Sequence, residues 1–148
     1  MLNVDKVYIP HWSKLKERKE YLKEHLQSRG ILEYSFVEHF DKETWNVEDV
    51  KNEYPNVFST DKFGRKLNFS EISLLLKYCW IIKDAHKNQY DSILILEDDV
   101  ELHPDFVELF NTFKGELPED WDIAWVGSCL NLHAPATPNK HVYRAQGS

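Results

Sequence analysis

Between Asp91 and Val100 the chain reads Asp-Ser-Ile-Leu-Ile-Leu-Glu-Asp-Asp-Val, and no other segment limits the fold as tightly. Ser92 to Leu96 is an apolar run bounded by charge, too short for a helix and rich in strand-forming residues. An unbroken apolar strand without alternation predicts a central strand covered on both faces, as in parallel sheets. The three carboxylates of Glu97, Asp98 and Asp99 cannot follow it into the interior, so they mark its C-terminal end. In open α/β sheets that edge is where ligands bind.

The rest of the chain supplies matching elements. Lys6 to Pro10 reads as a short buried strand, with Pro10 closing it. Ser13 is placed to cap a helix reaching about Ser28, with Leu15, Leu22 and Leu26 as its apolar stripe and Gly30 as its stop. Leu32, Tyr34 and Phe36 alternate with polar residues, which is strand periodicity. From Asp41 to Lys66 the pattern breaks, apart from a short helix near Val47 to Tyr54, as expected of a functional loop. Ser70 then opens the clearest helix. Its stripes, Ile72, Leu75, Cys79, Ile82 and Leu74, Tyr78, Ile81, Ala85, predict burial on two faces. Pro104 at a first helical position predicts a further helix with Phe106, Leu109, Phe110 and Phe113 inward, ended by Gly115. Ile123 to Val126 reads as another buried strand, and His141 to Arg144 as a last one. Strands alternating with helices predict a single α/β domain over residues 1–148, built on a mostly parallel sheet flanked by helices.

Charge is concentrated. Of the net −7, residues 91–122 hold 11 acidic groups against Lys114 alone, whereas residues 1–90 are near balance. Such a field favours a bound divalent cation and speaks against a nucleic-acid groove, which needs a basic stripe. The first six residues lack a signal-peptide core, and no apolar run approaches a membrane span. Cys79 and Cys129 show no paired metal spacing. The expectation is a soluble cytoplasmic protein without a membrane span.

Adjacent carboxylates repel unless a cation, a basic partner or water compensates. Oxygen-rich sites of this kind suit Mg²⁺ or Mn²⁺, which use one or two carboxylates plus substrate phosphates. A solvated acidic turn is the plain alternative for the motif alone. The string also resembles the opening strand of a response-regulator receiver domain. That layout fails, because the later strand ends in Gly127-Ser128 without a phospho-accepting Asp, and too little chain remains.

An ordered set of segments resembles glycosyltransferase family 25, which includes lipopolysaccharide-type sugar transferases and collagen galactosyltransferases. The set is Val7-Tyr8-Ile9 with Glu17-Arg18-Lys19, Ser70-Glu71-Ile72-Ser73, Ile95-Leu96-Glu97-Asp98-Asp99-Val100, Pro104-Asp105-Phe106, and Trp121-Asp122-Ile123 leading to Val126-Gly127. The resemblance implies a GT-A-like, Rossmann-like fold, a UDP-sugar donor, Mn²⁺ or Mg²⁺, and inverting transfer of a hexose such as galactose to a glycan or protein-linked hydroxyl. It implies metal positions at Glu97, Asp98 and Asp99, with Asp99 foremost and Asp98 either sharing the ion or pointing inward. Tyr8, Ile9, Pro10, His11 and Trp12 would lie beside the nucleotide, joined by Arg18, Glu71, Glu97 and Asp98. Asp122 and Glu101 are the candidate bases. Two departures stand out: the family's Gly-Glu-Ile-Gly-Cys is Ser-Glu-Ile-Ser-Leu here, and its Ser-His pair falls at Lys77-Tyr78. Family members also continue beyond this length, so the chain is either a fragment or a minimal domain.

None of the seven histidines has tight ligand spacing, with His103 favoured by its nearness to Asp99. Trp12 and Trp45, in loop contexts, are candidates to stack on a sugar or base, whereas Trp125 reads as core. The competing function is a degenerate, non-catalytic carbohydrate- or nucleotide-binding module of the same fold.

Overall fold

The computed structural model describes residues 1–60, 62–127 and 141–142. Three strands, β1 (Lys6–Pro10), β2 (Ser35–Val37) and β3 (Ile93–Ile95), form one parallel sheet in the order β2-β1-β3. Tyr8 pairs with Ser35 on one side and with Ile95 on the other, so all three C-terminal ends share one edge. Between β1 and β2 lies α1 (Lys16–Ser28). Between β2 and β3 lie α2 (Val47–Glu53), a 3₁₀ turn (Pro55–Phe58) and the long α3 (Phe69–Lys87), and α4 (Phe106–Lys114) follows β3. The α/β class and parallel sheet expected from the sequence are present.

The two-residue period of β1 divides the core. Val7 and Ile9 face Leu22 and Leu26 of α1, together with Leu94, Leu96 and Leu102, and Phe106 and Phe110 of α4 close that side. Tyr8 faces the other way, with Val37, Ile81 and Trp80. Helices therefore cover both faces of the sheet. A third cluster, Val50, Val57, Ile72 and Leu76, lies beneath the α2 segment. No helix among the described residues is long and apolar enough to cross a membrane.

Several expectations are corrected. Among the described residues β1 is the central strand and β3 an edge, because β3 pairs only with β1. Helix α1 starts at Lys16 without a side-chain cap; the Ser13 N–H donates to Asp41 Oδ2 at 3.0 Å. The true start of α3 is a capping box, in which the Asn68 side chain accepts from Glu71 N–H and Glu71 accepts from Asn68 N–H. Only one face of α3 is buried (Ile72, Ser73, Leu76, Lys77, Ile81, Ala85), and Leu74, Leu75 and Ile82 remain exposed. Helix α4 begins at Phe106, and Leu109 is exposed. Leu32 lies outside the shortened β2 and is exposed.

The largest departure is Ile123 to Val126, which forms no strand, with Trp125 83% exposed. Apolar composition makes a segment suitable for a sheet, but a ladder needs a free edge in register. His141 is not in a strand either; its N–H and ring bond to Glu116. Arg144, Cys129 and His133 lie outside the described residues.

Candidate functional site

The acidic segment leaves the sheet in a defined way. Leu96 is still in the ladder, its N–H donating to Tyr8 C=O at 3.0 Å, and the chain then turns so that Val100 N–H donates to Glu97 C=O. The turn sorts the three carboxylates. Asp98 points inward, its side chain 14% exposed, while Glu97 and Asp99 stay at the surface.

Asp98 has two partners. Arg18 of α1 donates to Oδ1 at 2.9 Å, and His11 Nδ1 lies 2.7 Å from Oδ2. A carboxylate only accepts, so the shared proton is placed on His11 Nδ1. The Arg18 guanidinium also stands 3.9 Å from Asp99, and the Asp98 hydrogen bond pushes the Arg18 pKa up. One cation thus offsets part of the repulsion among the three acids. His11 is itself buried, edge-on to Phe36, and its Nε2 has no partner among the described residues. The Tyr78 hydroxyl of α3 donates to Glu97 Oε1, and burial, then this bond, push the phenol pKa up.

Beneath this edge is a buried charge that the sequence reading missed. Lys77 Nζ donates to His11 C=O at 2.7 Å, Val37 C=O at 3.2 Å and Asp41 Oδ1 at 2.6 Å. Both side chains of the ion pair are almost fully buried. Burial alone would raise the Asp41 pKa, but hydrogen bonds from Lys77 and Ser13 outweigh it and the net shift is downward. One ammonium therefore ties the ends of β1 and β2 to the following loop. A signal existed in the sequence: Lys77 stands four residues after Ser73 and four before Ile81, on the inward face of α3.

The other expected site residues are spread more widely. Tyr8 and Ile9 have core side chains, with the Tyr8 hydroxyl donating to Asp84 at 2.5 Å. Pro10 is buried, and half-buried Trp12 donates its indole N–H to Glu43 at 3.1 Å. Glu71 completes the α3 cap and pairs with Arg65 at 2.7 Å; that pairing and the Asn68 N–H hold its carboxyl below the usual range. Glu101 accepts from Tyr21 at 2.8 Å and faces α1. Asp122 is exposed in the segment after α4, and His103 is exposed beside Asp105. Trp45 packs on Phe58 and Phe69. The structure thus brings together His11, Arg18, Tyr78 and the three acids, and leaves Glu71 in a capping role.

No three His, Cys, Asp or Glu side chains among the described residues form a ready metal cage. Because Asp98 is engaged by His11 and Arg18, the chain offers an ion Asp99 and one oxygen of Glu97. That donor set fits Mg²⁺ or Mn²⁺, which complete their shells with water and phosphate oxygens.

The family model described as glycosyltransferase family 25 (LPS biosynthesis protein) matches residues 4–145, nearly the whole chain. Nothing matches among curated proteins or among solved structures.

Proposed function

We propose that this chain, which belongs to glycosyltransferase family 25, uses the Glu97–Asp99 edge to hold a UDP-sugar diphosphate through Mg²⁺ or Mn²⁺ and passes the hexose to a glycan hydroxyl. The observation that carries this reading is the sorting of the acidic turn. Asp98 is anchored inward by His11 and Arg18, and Asp99 is left 71% exposed at the ligand edge of a parallel sheet.

Asp99 is the principal ion ligand in this reading, with Glu97 second, and the ion would offset charge on the departing diphosphate. Arg18, already at the edge, meets the phosphates from the α1 side. Trp12, beside the end of β1, supplies a ring against which a base can pack. The side chains of Tyr8 and Ile9 hold the strand rather than the ligand. Transfer inverts the anomeric centre: the acceptor oxygen forms its bond to the anomeric carbon as the bond to UDP breaks. A carboxylate takes the acceptor proton. Asp122 is the better candidate for that base, since Glu101 is engaged by Tyr21.

Calorimetry with UDP tests the reading directly. Binding is expected with Mn²⁺ present, to weaken strongly without it, and to vanish in Asp99→Ala. Metal-independent UDP binding, or none, refutes it. The Tyr78 hydroxyl on Glu97 favours the competing reading of a binding module, since it occupies one of the two exposed acids. Slow release of UDP from a UDP-hexose in water marks a competent transferase, and its absence marks the module.

A further inference from the structure

A recess opens at the same sheet edge, on the far side of β1 from the acidic turn. It is a cavity of about 580 Å³, within the roughly 300–1,000 Å³ of ligand sites. Five aromatic or imidazole rings, His39, Phe40, Trp45, Tyr54 and Trp80, line it together with Asp49. The His39 and Trp80 rings stand 4.8 Å apart. Because β2 and β3 flank β1, the two regions are separated by about two strand spacings, roughly 10 Å.

Two features mark this wall as more than loose packing. Phe40 sits at φ +61°, a left-handed conformation that costs a bulky residue energy. It is held there on both sides: the Ser73 hydroxyl donates to its carbonyl at 2.5 Å, and Asp41 beside it is locked by Lys77. The charges of the recess are also settled. Glu38 is paired with Lys19 at 2.9 Å and Glu53 with Lys83 at 2.6 Å. Of the lining acids, Asp49 has no ion-pair partner among the described residues.

We propose that this recess binds a hexopyranose unit of the acceptor glycan remote from the reacting hydroxyl, stacked on the Trp80–His39 pair with hydroxyls donating to Asp49. A pyranose has an apolar C–H face and a hydroxyl rim, which matches aromatic walls beside a carboxylate. A cationic ligand fits less well, because lysines already neutralise Glu38 and Glu53. The proposal rests on the transferase reading, and α3 links the two regions: Tyr78 reaches Glu97, and Trp80, two residues on, faces the recess.

The test is an NMR titration of the indole N–H signals with methyl β-galactoside, methyl β-glucoside and choline, alongside UDP with Mn²⁺. The Trp45 indole N–H, buried without a partner among the described residues, is a distinct reporter in the wall. Both glycosides, or one of them, should move the Trp80 and Trp45 signals, and choline should not. Trp80→Ala should weaken the effect about tenfold. Exposed His39→Ala, which leaves the fold intact, should weaken it severalfold, and UDP–Mn²⁺ binding should be unchanged in both. Bound UDP–Mn²⁺ with no glycoside shift overturns the recess alone. Shifts caused by choline only, or shifts indifferent to both substitutions, overturn it as well. Glycoside shifts without UDP–Mn²⁺ binding uphold the recess as a sugar site while removing the donor reading.

Discussion

The two halves of the sheet's C-terminal edge are built on opposite principles. On the β1–β2 side a lysine and an aspartate are both buried, and every polar atom of the pair has a partner: two backbone carbonyls, a backbone N–H and each other. On the β3 side three carboxylates lie in sequence, and among the described residues only Asp98 is hydrogen-bonded by two partners. Desolvation makes a buried charge intolerant of any missing contact, so the first half is rigid. Water screens the second half, leaving Asp99 available to a ligand. The contrast shows a scaffold that fixes where the edge lies and an adjoining surface free to bind.

Lys77→Met should break the contrast most severely. It leaves the buried Asp41 carboxylate without its cation, with only the Ser13 N–H on Oδ2, and takes the ammonium from the His11 and Val37 carbonyls, so urea unfolding should show a loss of about 3–5 kcal/mol. Asp41→Asn keeps the shape but removes the charge, with an expected loss of about 2 kcal/mol near neutral pH. Its pH signature is more telling. Asp41 has a folded pKa below its unfolded value of about 3.9, so its stabilisation is whole above that pH and drains away as pH falls below it. The acid limb of the stability profile should therefore be shallower in Asp41→Asn than in the parent. A parallel limb would remove Asp41 from the account.

Tyr78→Phe probes the link between the halves. It deletes the hydroxyl on Glu97 and should cost about 1 kcal/mol by the same unfolding assay. Asp99→Ala should be smallest of all in stability, within about 0.5 kcal/mol, since its side chain is exposed. A large loss there would mean that the acidic turn is structural, and the distinction between scaffold and binding surface would collapse.

Legibility in the sequence followed burial pattern. β1, β3 and α3 could be located because runs of branched aliphatics and helical periodicity mark regular elements, but the two stripes of α3 overstated its burial, since Leu74, Leu75 and Ile82 are exposed. Ile123 to Val126 carried the same signal and was misread, because composition cannot say whether a strand edge is available to receive it. The acidic turn was legible as charge after an apolar strand, but which carboxylate turns inward was not. That depends on His11 and Arg18, 87 and 80 residues away in sequence. Glu71 closes the capping box of α3, which its place in the first turn allows.

The sequence by itself determined the α/β class, the family, and the position of the acids at the end of a parallel strand, because hydrophobic period and motif order are local properties of the chain. Only the tertiary structure decided that Lys77 lies beneath the edge, that Asp98 faces in while Asp99 faces out, and that an aromatic recess opens beside β2. Each of these is set by contacts between residues far apart in the chain. Their cost or gain is decided by desolvation, which exists only once the sheet and its helices have come together.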